Sequence, residues 1–141
     1  DEKHFLYTDK KGTCESLLQQ LCQQMEQDGY VDKEFFTQIM EREKLSSTAF
    51  GPVALPHTLT MDAYKTGIYI VVAPKGIQWG TQIVTLVFLI SINYHNRHIF
   101  REIFDDLAMI CTDEQNVHRL SQQVFFDDFI ETLSQCFLTV K

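Results

Sequence analysis

Ile83-Val84-Thr85-Leu86-Val87-Phe88-Leu89-Ile90-Ser91-Ile92 is the most apolar run in the chain. It is too short to cross a bilayer as a helix, which takes about 20 apolar residues. Its apolar side chains fall at both odd and even positions, so a strand made of them must be covered on both faces. The run predicts a central strand with a packed layer on each side. Upstream of it, Gly67-Ile68-Tyr69-Ile70-Val71-Val72-Ala73 is rich in β-branched and aromatic residues and predicts a second long strand. Pro74-Lys75-Gly76 reads as the turn that ends it. Further out, Val53-Ala54-Leu55 predicts a short strand stopped by Pro56, and His4-Phe5-Leu6-Tyr7 a short edge strand.

Helical periodicity frames these strands on both sides. Cys14, Leu17, Leu18, Leu21, Cys22 and Met25 form one apolar stripe, with Thr13 as N-cap and Gly29 as C-terminal cap. Phe35, Phe36, Ile39 and Met40 form the buried face of a second helix, with Asp32 as its cap. After the polar Asn93–Arg97 segment, Ile99, Phe100, Ile103, Phe104, Leu107, Ala108 and Cys111 mark an amphipathic helix. Thr112 and Gln115 resemble a capping box for a short helix. A last helix follows Asp127 or Asp128, with Phe129, Ile130, Leu133 and Phe137 inward. Helices, strands and helices again make an α/β protein: a mixed, mostly parallel sheet flanked by helices on both faces. No repeat or linker is visible, so residues 1–141 read as a single domain.

Composition narrows the function. The formal net charge is -7, which disfavours direct nucleic-acid contact and predicts an acidic rim suited to a basic protein partner. Cys14, Cys22, Cys111 and Cys136 form no C-x-x-C pair and have no secretory context, so neither a cysteine zinc site nor a disulfide framework is expected. The polar start Asp1-Glu2-Lys3-His4 is not a signal peptide, and the expected location is cytoplasmic, without membrane insertion. The sequence does not begin with Met, as expected of a module cut from a longer chain. There is no G-x-x-x-x-G-K-[ST] loop, no G-x-G-x-x-G and no G-x-S-x-G, and no cofactor is implied.

His57 follows Leu55-Pro56 at a strand end, where α/β folds display reacting groups. A neutral imidazole there is a competent nucleophile towards phosphorus. A histidine beside a proline is also an ordinary turn residue. His95 and His98 have H-x-x-H spacing, but a metal site needs further ligands, and a polar helix entry is the preferred reading. His98 is the better placed of the two to reach the end of the long strand. Arg42, in Glu41-Arg42-Glu43-Lys44, reads either as solvated surface charge or as a cation able to neutralise a phosphoryl group. Trp79, in Ile77-Gln78-Trp79-Gly80, reads as a packing or surface residue.

Arg42-Glu43-Lys44-Leu45-Ser46-Ser47-Thr48-Ala49-Phe50-Gly51, followed by Val53-Ala54-Leu55-Pro56-His57, resembles the signature of enzyme IIA domains. These belong to the fructose/mannitol class of the bacterial sugar phosphotransferase system. The resemblance covers almost the whole chain and extends to the helix entry Asn96-Arg97-His98-Ile99-Phe100. It implies that His57 is the phosphorylated histidine and Arg42 the cation near it. It also implies that His98 lies beside the phosphoryl group, with the phosphocarrier HPr as donor. One departure stands out: Pro52 runs directly into Val53 where the family usually has another residue, so the approach to His57 is expected to be short and stiff. Ser46–Gly51 and Ile77-Gln78-Trp79 look more like the versions fused to BglG-type transcriptional antiterminators and activators. Three roles are compatible with the resemblance: a regulatory phosphoacceptor acting on neighbouring domains, a transport enzyme IIA passing phosphate to an enzyme IIB, and a non-catalytic interaction domain.

Overall fold

The computed structural model describes residues 2–140, with side chains through residue 138. A 3-10 turn at Glu2–His4 leads into β1 (Phe5–Tyr7) and β2 (Gly12–Thr13), followed by α1 (Cys14–Gln27) and α2 (Phe35–Leu45). The sheet continues with β3 (Ala49–Phe50), β4 (Val53–Ala54), β5 (Asp62–Trp79) and β6 (Gln82–Asn93). A 3-10 turn at Tyr94–Asn96 then opens α3 (Arg97–Cys111), followed by α4 (Glu114–Leu120) and α5 (Phe126–Val140).

The strands lie in the order β1-β5-β6-β4-β3, with β2 also on β5. The expected mixed α/β sheet is present, and the apolar run from Ile83 to Ile92 is its centre. β1, β2 and β4 make parallel pairings, while the long β5–β6 hairpin and the β3–β4 hairpin are antiparallel. Period-2 alternation splits the core into two layers. Tyr69, Val71, Val87 and Leu89 face α1 and α2, whereas Ile70, Val72, Leu86 and Phe88 face α3, α4 and α5. Leu18, Met25, Ile39, Leu120 and Phe129 are fully buried in these layers. Each contributes about 1.5–3 kcal/mol relative to exposure.

Local details follow the sequence unevenly. Thr13 caps α1 by accepting from the Ser16 amide at 3.2 Å, and Gly29, at φ 82, ends it. Asp32 does not cap α2. It accepts from the Glu34 amide at 2.9 Å in the preceding turn, and the N-cap position is Glu34. Thr112 ends α3, and Asp113 caps α4 by accepting from the Gln115 amide. Asp127 and Asp128 lie inside the first turn of α5, and Ile130 faces outward on that helix.

Pro74-Lys75-Gly76 does not reverse the chain. The strand passes through a register shift between Val72 and Ile77, regains its pairing with β6 and adds β2 on its other side. A proline without an N–H is tolerated at such an irregularity. The reversal comes at Gly80-Thr81, between the paired Trp79 and Gln82.

Candidate functional site

Strand direction brings four chain segments to one edge of the sheet. β4 and β6 are parallel, so their C-terminal ends lie together. β3 runs antiparallel to β4, which puts its entry from α2 at the same edge. β5 starts there too, with Asp62 opposite Asn93. The segment after β4 carries His57, the segment before β3 carries Arg42, and the segment after β6 carries His98. Convergence of strand ends and loops is where open α/β sheets build sites.

Alternation decides which way His57 faces. Leu55 packs in the α3–α5 layer, and His57, two residues on, turns to the same side. Its ring meets Phe104 edge-on at 5.4 Å and Phe100 at 5.5 Å. Its Nδ1 lies 2.8 Å from the carbonyl oxygen of Leu55. A carbonyl can only accept, so Nδ1 carries the proton and Nε2 keeps its lone pair. Burial, foremost, pushes the His57 pKa below its usual 6.5. The Leu55 hydrogen bond acts upward, the Arg42 charge downward and the Glu43 charge upward. The ring is half-buried, so it is neither sealed in the core nor free in solvent.

The approach to His57 is short, as the sequence implies. β3 and β4 form a hairpin whose two-residue turn is Gly51-Pro52. Gly51 takes φ 55 and Pro52 has no positive φ, which is the pattern of a type II′ turn. Beyond the strand, the Pro56 carbonyl still accepts from the Ile90 amide at 3.0 Å, so the backbone is fixed up to the residue before His57.

Arg42 is half-buried at the C-terminal end of α2, and its Nη1 donates to the Ser46 carbonyl at 2.6 Å. Glu43 accepts from the Thr48 amide at 2.9 Å, from the Thr48 hydroxyl at 3.0 Å and from the Trp79 indole Nε1 at 2.6 Å. The motif from Arg42 to Thr48 is therefore the last turn of α2 and the loop after it, with Glu43 as their internal acceptor. The structure brings Arg42 and Glu43 within electrostatic reach of His57. His98 is exposed in the first turn of α3 and, among the described residues, makes no hydrogen bond or ring contact with His57. His95 is exposed too, and among the described residues no three His, Cys, Asp or Glu side chains are grouped to hold a metal.

Sequence reasoning missed Phe100 and Phe104 as the rings packed against His57, although their i,i+4 spacing marks one face of α3. It also missed Trp79 as a donor to Glu43, a contact between residues 36 apart that no local pattern announces. The acidic rim is corrected. Segments 41–48, 57–66 and 93–98 meet at this edge and carry Arg42, Lys44, Lys65 and Arg97 against Glu41, Glu43 and Asp62. The excess of acid lies elsewhere on the molecule. Leu45, Leu59 and Tyr94 are exposed around the edge.

A family model described as phosphoenolpyruvate-dependent sugar phosphotransferase system, EIIA 2, matches residues 1–136. The mannitol-specific phosphotransferase enzyme IIA component of Bacillus subtilis is 29% identical over 77% of this chain and 77% of its own length. The transcriptional regulator ManR of the same organism is 26% identical over 83% of this chain, which spans 18% of that regulator. The crystal structure of IIA mannitol from Escherichia coli superposes with a TM-score of 0.76 at 27% identity, covering 93% of this chain and 96% of that one. Relatives thus include both transport components and parts of larger regulators. With its fold, its signature loop and nearly its full length matched, the chain belongs to the EIIA 2 family of the phosphoenolpyruvate-dependent sugar phosphotransferase system.

Proposed function

We propose that His57 accepts a phosphoryl group on Nε2 from the phosphohistidine of the carrier HPr, in the cytoplasm, and that the host protein is a sugar-responsive transcriptional regulator. The observation that carries the acceptor role is the Nδ1 contact to the Leu55 carbonyl, which leaves Nε2 as the ring's unprotonated nitrogen.

In this mechanism the Nε2 lone pair forms the new N–P bond while the donor's N–P bond breaks. The donor imidazole departs with the bonding electron pair. The Nδ1 proton stays on His57, held by Leu55. Phosphoryl transfer has a loose transition state, so positioning and charge stabilisation do most of the work. Arg42 balances charge on the equatorial oxygens through charge-assisted hydrogen bonds. His98 rotates in from the first turn of α3 and donates to the same oxygens. Leu45, Leu59 and Tyr94 give the partner apolar surface at an edge with no strong charge of either sign.

The regulator role is favoured by the similarity to ManR and to the probable licABCH operon regulator of Bacillus subtilis. In that role a group of charge near -2 on His57 alters contacts with neighbouring domains and shifts activity. A second role, as a transport component, is favoured by the mannitol-specific enzyme IIA relative, which the chain covers over most of its length. It draws further support from a solved complex of Escherichia coli IIA mannitol with phosphorylated IIB mannitol, 27% identical to this chain. In this second role the phosphoryl group passes on to an enzyme IIB.

The roles separate in one experiment. The protein is labelled with phosphoenolpyruvate, enzyme I and HPr, then mixed with a mannitol-type enzyme IIB. Retention of the label on His57 is expected for the regulator, and rapid loss to enzyme IIB overturns that role in favour of transport. Absence of any label removes both.

A further inference from the structure

The tip of the β5–β6 hairpin reaches the last turn of α2, which carries Arg42. Trp79 is 3% exposed, and its indole donates to Glu43 Oε1 at 2.6 Å. Across the tip, Gln82 Nε2 lies 3.5 Å from the Ala49 carbonyl, at the start of the hairpin leading to His57. Trp79 is 36 residues from Glu43 in sequence. Its partner Glu43 is next to Arg42 in the chain and saturated with donors from Thr48. A carboxylate that accepts on both oxygens from Thr48 and from Trp79 has the geometry of an anchor.

We propose that Trp79 and Glu43 act together as positioning residues, fixing the end of α2 so that the Arg42 guanidinium is aimed at the phosphoryl group on His57. The proposal rests on the phosphoacceptor role given above. α2 ends at Leu45, and Arg42 and Glu43 both lie in its last turn. Arg42 itself is tethered by one hydrogen bond to Ser46. Without the Glu43 anchor the Ser46–Thr48 segment loses its attachment to the hairpin tip, and with it the Ser46 carbonyl that holds Arg42. Displacement of a positioned group by about 1 Å costs on the order of 100-fold in rate.

The test uses Trp79→Phe, Glu43→Gln and the double variant, each read in two ways. The first is the rate of phosphorylation by phospho-HPr, resolved into kcat and KM. The second is the NMR titration of the His57 ring, which requires no phosphotransfer. Both single variants are expected to lower kcat by about 10- to 100-fold with KM for phospho-HPr little changed, because the docking surface is untouched. The double variant is expected to match Glu43→Gln alone, since Trp79 acts through Glu43. His57 is expected to titrate at higher pH in Trp79→Phe, because the Arg42 charge that disfavours the protonated ring moves away while the Glu43 charge is kept. Additive losses in the double variant, or a fall in rate that sits in KM, would overturn the proposal and leave Trp79 a packing residue. An unchanged His57 titration in Trp79→Phe would also overturn it. If wild-type protein takes no phosphate, the acceptor role fails, while the titration and its coupling between the two sites still decide the anchor.

Discussion

The Nδ1–H of His57 donates to the carbonyl oxygen of Leu55, two residues earlier, at 2.8 Å. The bond does two things at once. It fixes the tautomer, and it locks the ring against rotation so that Nε2 points away from the backbone. The Leu55 carbonyl is itself held in place, because β4 is parallel to β6 and the next carbonyl, that of Pro56, accepts from Ile90. The orientation of the His57 Nε2 is therefore a property of the central strand.

Acidity of His57 follows from its surroundings. Its pKa lies below the usual 6.5, chiefly through burial. The neutral ring thus persists to lower pH than in a free histidine, and under the proposed role the phosphorylation rate is expected to hold through pH 6.5 and to fall only below it. The same shift acts on stability with a definite sign. The unfolded chain takes up the proton first as pH falls, so the stabilisation is complete above 6.5 and is lost as pH drops through the folded pKa. Stopped labelling across pH 5 to 8 and urea midpoints over the same range check both statements.

Phe104 supplies part of that burial, with its ring 5.4 Å from that of His57. Phe104→Ala is expected to admit water and raise the His57 pKa towards 6.5. An unchanged titration by NMR would mean that other groups exclude the water.

Arg42 combines charge with a planar fork of donors. Arg42→Ala is expected to slow phosphorylation on the order of 100-fold or more, while stability falls by only about 1 kcal/mol for the lost bond to Ser46. Arg42→Lys keeps the charge but not the fork, and is expected to recover a minor part of the rate. Equal rates for all three proteins would make Arg42 a surface residue.

Gly51 occupies a left-handed conformation, φ 55, in the turn just before the strand that delivers His57. Gly51→Ala is expected to destabilise the protein by about 1–2 kcal/mol. Chemical denaturation measures the loss, and a neutral substitution would show that the turn relaxes without strain.

The legibility of this protein tracks the range of its interactions. The Ile83–Ile92 run announced a central strand because burial on both faces forces an unbroken apolar pattern, and Thr13 and Gly29 announced the ends of α1 through chemistry confined to a few neighbours. Pro74-Lys75-Gly76 misled because turn-forming residues also suit an irregular strand. Pairing with β2 and β6 on either side overrides the local preference. At the site, His57 and Arg42 stood out only through the family signature. Taken alone, a histidine after a proline and an arginine in a charged run look ordinary. Trp79 stayed hidden because its partner is 36 residues away. His98 is singled out only by its position in the signature, and its ring is exposed.

Mapping of the modified atom tests the central claim most directly. After reaction with phosphoenolpyruvate, enzyme I and HPr, peptide mass spectrometry and phosphorus NMR locate the phosphate. The expected result is one acid-labile group, on Nε2 of His57, absent from His57→Ala. A label that survives His57→Ala, or one that sits on Nδ1, would contradict the account.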